Sequence, residues 1–144
     1  MLFRKVNITI LILSILGLFD SGYLSWGKLT RHDIRCLPGL GDCGSVNNSI
    51  YSELHGIPVA YLGFAGYLLI ILVTLFFLKT GKENHFLNFT LLGITLFGVL
   101  FSAYLTYIEV AVLFAICIYC VISALLMLAI FGLSLYKSLK VLKN

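Results

Sequence analysis

Two of the chain's four cysteines stand at CxxC spacing in the apolar run "LFAICIYCVISALL", residues 113–126, and the other two, Cys36 and Cys43, lie in a Gly-rich segment far upstream. A CxxC pair can cycle between dithiol and disulfide. At a helix N-terminus the first thiol, Cys117, sits beside unpaired backbone N–H groups and the positive end of the helix dipole, which stabilises its thiolate. The second, Cys120, is one turn deeper and more shielded. Cys36 and Cys43 can close a small ring. A disulfide in that ring can be attacked by an outside thiol, and a released cysteine can swing to attack a disulfide between Cys117 and Cys120. Three other readings use the same residues: small hydrophobes packed in a helix, two static disulfides on an oxidising face, and a zinc site of four cysteines or of three with His55 or His32. A c-type haem is excluded, because Val121 stands where that motif needs His.

Which reading is open to the chain depends on the elements that carry the cysteines. With 144 residues, 60% hydrophobic and 11% charged, and a mean hydropathy of +1.05, the chain reads as one integral membrane domain, residues 1–144. Lys and Arg exceed Asp and Glu by 10 to 6, but they fall in short stretches between apolar runs, which excludes nucleic acid as a partner. Crossing the hydrocarbon layer takes ~20 apolar residues as a helix. Four stretches qualify: 6–26, 57–78, 86–108 and 116–135. The expected fold is therefore all-α, a four-transmembrane-helix bundle with a long outer loop, 27–56, between the first two spans. The first span lacks an A-x-A-like site before Asp20 and is read as a helix that stays, not a cleaved signal.

Orientation follows from the basic residues. A cytoplasmic N-terminus puts Arg4, Lys5, Lys79, Lys82, Lys137, Lys140 and Lys143 inside and Lys28, Arg31 and Arg35 outside, seven against three. All four cysteines then lie on the extracytoplasmic side, where protein thiols and an oxidant dissolved in the bilayer can both reach them. Asp42 or Ser45 can cap a short interfacial helix in the loop over 46–54. Asp20 is an ionisable group inside an apolar span, with two readings: a functional residue, or a carboxylate bonded to loop backbone or paired with Arg35 or Lys28. Glu109 reads as a solvated or capping residue ahead of the CxxC. Tyr23, Trp26, Tyr104 and Tyr107 suit an interfacial aromatic belt.

Three segments, "GLFDSGYLS", "CLPGLGDCGSVNNSIYSELHGIPVAYLG" and "YLTYIEVAVLFAICIYC", together resemble the vitamin K epoxide reductase family in its short, single-domain form. The resemblance implies a helix bundle around a quinone pocket. Cys36 would exchange with a protein partner, Cys43 would pass electrons to Cys117, and Cys120 would contact the quinone. Ser49, six residues beyond Cys43, matches the family's loop serine and would assist the exchange or the quinone chemistry. Where the animal enzymes carry a tyrosine four residues after the CxxC, this chain has Ala124, which fits a prokaryotic type that reduces ordinary quinones while oxidising thiols.

The expectation is thus a multi-pass protein of the cytoplasmic (inner) membrane that makes disulfides, with quinone as electron acceptor, no metal, and a separate thioredoxin-like carrier, since no such domain is visible in the chain. The competing expectations are reduction of vitamin K or its epoxide, and a membrane scaffold with two structural disulfides.

Overall fold

In the computed structural model, which describes residues 1–36, 38, 39 and 41–144, four long helices carry the apolar stretches. They are α1 (Leu2–Thr30), α3 (Val59–Thr80), α4 (His85–Ile108) and α5 (Ile118–Lys143). All four are long and apolar enough to cross a membrane. α1 runs past its apolar stretch at both ends, α4 starts one residue early, and α3 and α5 start two residues late but run past their stretches at the C-terminal end. α1 begins at Leu2 and α5 continues to Lys143, because a helix that has met its backbone hydrogen bonds carries on into the interfacial Lys and Arg, whose stems are apolar.

Side-chain exposure is inverted relative to a soluble bundle. Ile12, Phe19, Leu72, Phe76, Leu100 and Leu125 point outward, as lipid-facing positions do. The buried seams instead contain Ser14, Ser21, Thr74 and Thr95. Their hydroxyls donate to the carbonyls of Ile10, Gly17, Ile70 and Leu91 one turn back, so these small residues let helices approach without leaving a buried donor unmet. Gly17 is the tightest case: a Cβ there would enter the ring of Tyr67 on α3.

The core has two parts. Ile10, Tyr67, Ile70, Phe77, Leu91 and Ile130 belong to the main cluster, which joins all four long helices. At its end near the chain termini, Lys137 of α5 is fully buried. Its ammonium donates to Asn7 Oδ1 at 2.7 Å, pairs with Glu83 at 2.9 Å and lies 3.5 Å over the Phe77 ring. The second cluster, Leu24, Ile34, Cys43, Val46 and Cys117, closes the opposite end. The long helices thus run up, down, up and down, with both termini at one end and the cysteines at the other.

The connection between α1 and α3 folds over the cysteine end. It holds the short helix α2 (Cys43–Asn47), a 3₁₀ turn (Ile50–Ser52) and a two-stranded hairpin of β1 (Glu53–Leu54) and β2 (Ile57–Pro58). The hairpin is antiparallel, with Glu53 opposite Pro58 and Leu54 opposite Ile57. Lys28 ties this cap to α1 through the Asn47 carbonyl at 2.9 Å, the Ser52 hydroxyl at 2.9 Å and Glu53 at 3.1 Å. The short helix starts at Cys43, earlier than the 46–54 read from hydrophobic pattern. Asp42 caps it by accepting the Ser45 N–H at 3.0 Å, so the turn chemistry, not the apolar spacing, sets its start.

Candidate active site

The two cysteine pairs meet where the loop docks on the start of α5. Asp42 N–H donates to the Ile116 carbonyl at 2.9 Å, which brings the Cys43 end of the loop onto the residue before Cys117. Gly41 makes that approach possible: its φ is +111° and a Cβ would strike the Ile116 carbonyl, so no other residue type fits. Cys36 and Cys43 form a disulfide with Cα atoms 5.4 Å apart, while Cys117 and Cys120 are free thiols. The sulfurs of Cys36, Cys43 and Cys117 all lie within 4.8 Å of one another. That cluster does not suit zinc, which needs thiolates, because Cys117 is its one free thiol.

Burial grades the sulfurs. Cys36 is half-buried, Cys43 and Cys117 are buried, and Cys120 is half-buried but opens onto a different space. That space is a cavity of about 860 Å³ reached by Cys120 on one side and by Ser49, Tyr67 and Phe101 on others. It lies largely between α3 and α4, where Gly63, Gly66 and Gly93 line it and leave room. Its size and mainly apolar wall with few polar groups are those of a small-molecule pocket. The cysteine that leads outward, Cys36, and the one at the cavity, Cys120, are thus separated by two sulfurs shut off from solvent.

Cys117 is the N-cap of α5 rather than a member of its first turn. Its thiol is held below the ordinary range chiefly by the hydrogen bond from Cys120, against the opposing effect of burial. A thiol with a lowered value leaves a disulfide faster, so Cys117 is suited to release from a bond with a neighbouring sulfur. Ser49 lies at the cavity wall, and its hydroxyl donates to the Val46 carbonyl at 2.8 Å.

Two carboxylates differ from the sequence expectation in their surroundings. Asp20 is paired with neither Arg35 nor Lys28: Lys28 bonds Glu53, and Asp20 Oδ2 is buried with no hydrogen-bond partner among the described residues. Glu109 is not solvated. It is 3% exposed, its Oε2 accepts the Cys117 N–H at 3.3 Å, and its carboxyl also meets the Cys120 side chain. It caps α5 across eight residues of sequence. The cause is a π-helical turn, Glu109–Leu113, that widens the end of α4, followed by Phe114 at φ +51°. The chain therefore doubles back and returns Glu109 to the start of the next helix. A π-turn between two apolar runs leaves no periodicity by which the sequence could announce it. The belt aromatics Tyr23, Trp26, Tyr104 and Tyr107 are all exposed, and Tyr23 also packs its ring 5.2 Å from that of Tyr119 in the CxxC.

Membrane-length helices with two cysteine pairs in contact at one end, one pair opening to an apolar cavity, define a membrane protein of the thiol–disulfide class. The model of the vitamin K epoxide reductase family matches residues 8–135, and the chain belongs to that family. It is 35% identical over 125 residues to the thiol-disulfide oxidoreductase LTO1 of Arabidopsis thaliana, covering 81% of this chain and 32% of that protein. The chain thus spans about a third of the length of this curated relative.

Proposed function

We propose that the protein is a membrane thiol oxidoreductase that makes protein disulfides by passing electrons through its two cysteine pairs to a quinone. The observation that carries this reading is the gathering of the Cys36, Cys43 and Cys117 sulfurs within 4.8 Å, with Cys120 on the wall of the cavity. A thioredoxin-like carrier, bearing two thiols, attacks at Cys36, the accessible end of the outer pair. Cys43, once released, attacks Cys117 of an oxidised Cys117–Cys120 pair and frees Cys120; the carrier's second thiol then frees Cys36, which reclaims Cys43 and frees Cys117. Electrons reach the quinone at Cys120, and the CxxC disulfide reforms. In this reading the cysteine end faces the extracytoplasmic side of the cell membrane and the termini face the cytoplasm, which the distribution of Lys and Arg supports.

The fit of a quinone rests on the chain itself. The cavity holds a substituted ring, its gap between α3 and α4 gives an apolar tail a way to lipid, and hydroxyls at Ser49, Tyr67 and Ser123 border it. When bound, the quinone supplies a two-electron acceptor; the protein supplies orientation, dryness and two sulfurs in sequence.

The test is quinone reduction by purified protein with a dithiol carrier, followed by quinone absorbance. Cys117→Ser and Cys120→Ser should each abolish it, and a carrier lacking its second cysteine should accumulate linked to Cys36. Wild-type rates in either CxxC variant would overturn the relay. Offering the epoxide and the quinone side by side, with one reductant, separates this activity from epoxide reduction. Thiol trapping separates it from a scaffold, whose bridges would stay oxidised with or without quinone.

A further inference from the structure

Cys120 must lose a proton where there is little water to take it. The oxidation of two thiols breaks two S–H bonds, forms one S–S bond and sends two electrons to the acceptor, whose oxygens must gain two protons. The cavity at Cys120 is mainly apolar, and most of its polar groups are occupied. Tyr67 Oη donates to the Ser123 carbonyl at 2.8 Å and Ser49 Oγ donates to the Val46 carbonyl at 2.8 Å. Both hydroxyls are spent on backbone. Glu109 borders the same cavity as Cys120, and its carboxylate is anchored on the N–H of Cys117, the other cysteine of the pair.

We propose that Glu109 is a catalytic proton carrier for the CxxC pair: its carboxylate takes the Cys120 thiol proton as the dithiol becomes a disulfide, and delivers it to an oxygen of the acceptor. The inference rests on the reading that the acceptor meets Cys120 in the cavity. The second proton, from Cys117, goes to the acceptor's other oxygen.

A cap alone does not account for the placement. Helix N-termini are met by Ser, Thr, Asn or Asp next to the first turn, whereas here a buried carboxylate is returned from eight residues upstream by a π-turn and a left-handed residue. Burying an ionisable group is costly and is tolerated where function uses it. The Cys117 N–H at 3.3 Å and the hydrogen bond from Ala115 N to the Glu109 carbonyl at 3.1 Å fix the residue from both ends. One oxygen is held by backbone while the carboxyl stands on the cavity that Cys120 lines. When Cys120 enters a disulfide, the proton Glu109 has taken stays on it until an acceptor oxygen arrives.

Two readouts test this. In quinone-free protein in detergent, oxidation of the reduced CxxC with diamide should convert one carboxylate infrared band into a protonated carboxyl band. Glu109→Gln should abolish that change and Glu109→Asp should shift it. In stopped flow, Glu109→Gln should slow quinone reduction by the pre-reduced protein about 10²-fold, the scale of general acid–base catalysis. Reduction of the Cys36–Cys43 disulfide by a dithiol should keep its wild-type rate. A carboxyl that stays ionised in both redox states of the wild type, or a Glu109→Gln quinone step at wild-type rate, overturns the proposal. Equal slowing of both half-reactions also overturns it, because it marks a purely structural cap. The infrared change in a wild-type protein that fails to reduce any quinone would instead retain the proton role and reject quinone as acceptor.

Discussion

Gly41→Ala isolates the contact that joins the two cysteine pairs. The residue sits at φ +111° with the Ile116 carbonyl where a Cβ would go, and the next N–H makes the 2.9 Å bond to that same carbonyl. Holding a side chain in a sparsely populated backbone region costs about 1–3 kcal/mol, and losing the Asp42–Ile116 hydrogen bond costs about 1 kcal/mol more. The sum, about 2–4 kcal/mol, lowers the docked fraction of the loop by up to roughly 30- to 700-fold. No contact within the four long helices changes. The assay is a two-stage quench: Cys36–Cys43 is reduced with a small dithiol, and appearance of the Cys43–Cys117 mixed disulfide is then followed by thiol trapping. Reduction of the outer pair should proceed at least as fast as in wild type, while transfer to Cys117 slows by a large part of that factor. Transfer at wild-type rate with Ala at this position would refute the claim that the docked loop is the relay-competent arrangement.

Other outcomes follow from individual contacts. Glu83→Gln leaves the buried Lys137 ammonium without its carboxylate and should destabilise the protein by about 3–5 kcal/mol in thermal unfolding in detergent. Adding Lys137→Met should recover most of that loss, and a double variant as unstable as the single one would reject the pairing. Asp20→Leu removes a buried oxygen without a partner and should raise stability by about 1–3 kcal/mol; a lower unfolding midpoint would mean that Asp20 has a favourable partner. Because hydrogen bonding from Cys120 lowers the Cys117 value, its thiolate absorbance should appear below the ordinary thiol range near 8.5 and move up in Cys120→Ala. The sign for stability is that of a depressed acid: the contribution is full above the unfolded thiol value and is lost as pH falls through the lowered folded value. An unmoved midpoint in Cys120→Ala would remove Cys120 as the cause.

The four spans were legible because lipid imposes a length and a composition that no other solvent asks of a helix. Cys117 and Cys120 stood out by their CxxC spacing in an apolar run, and the Gly-rich stretch around Cys36 and Cys43 announced a loop able to close a ring. What did not show was where the chain turns without a compositional mark. Asp42 was legible as a cap of the loop helix, but apolar pattern put the helix itself too late, at 46–54 instead of Cys43–Asn47. For Glu109 the sequence offered a cap or a solvated residue; the cap is what the structure has, but its burial did not show, because that comes from a π-turn and a left-handed Phe114. Its contact with Cys117 is local in space and eight residues away in sequence, a separation that corresponds to no helical or strand repeat. The Lys137–Glu83–Asn7 group was likewise hidden, since each member reads alone as a residue at a helix end.

The closeness of the sulfurs also sets which thiols can compete for Cys117. One sulfur confined within 4.8 Å of another corresponds to a local concentration of roughly 4 M, within the regime in which an encounter becomes effectively unimolecular. A free thiol at millimolar level arrives about a thousand times more rarely and meets buried targets at Cys43 and Cys117 besides. Cys43 and Cys117 are therefore insulated against small thiols by proximity as well as by cover.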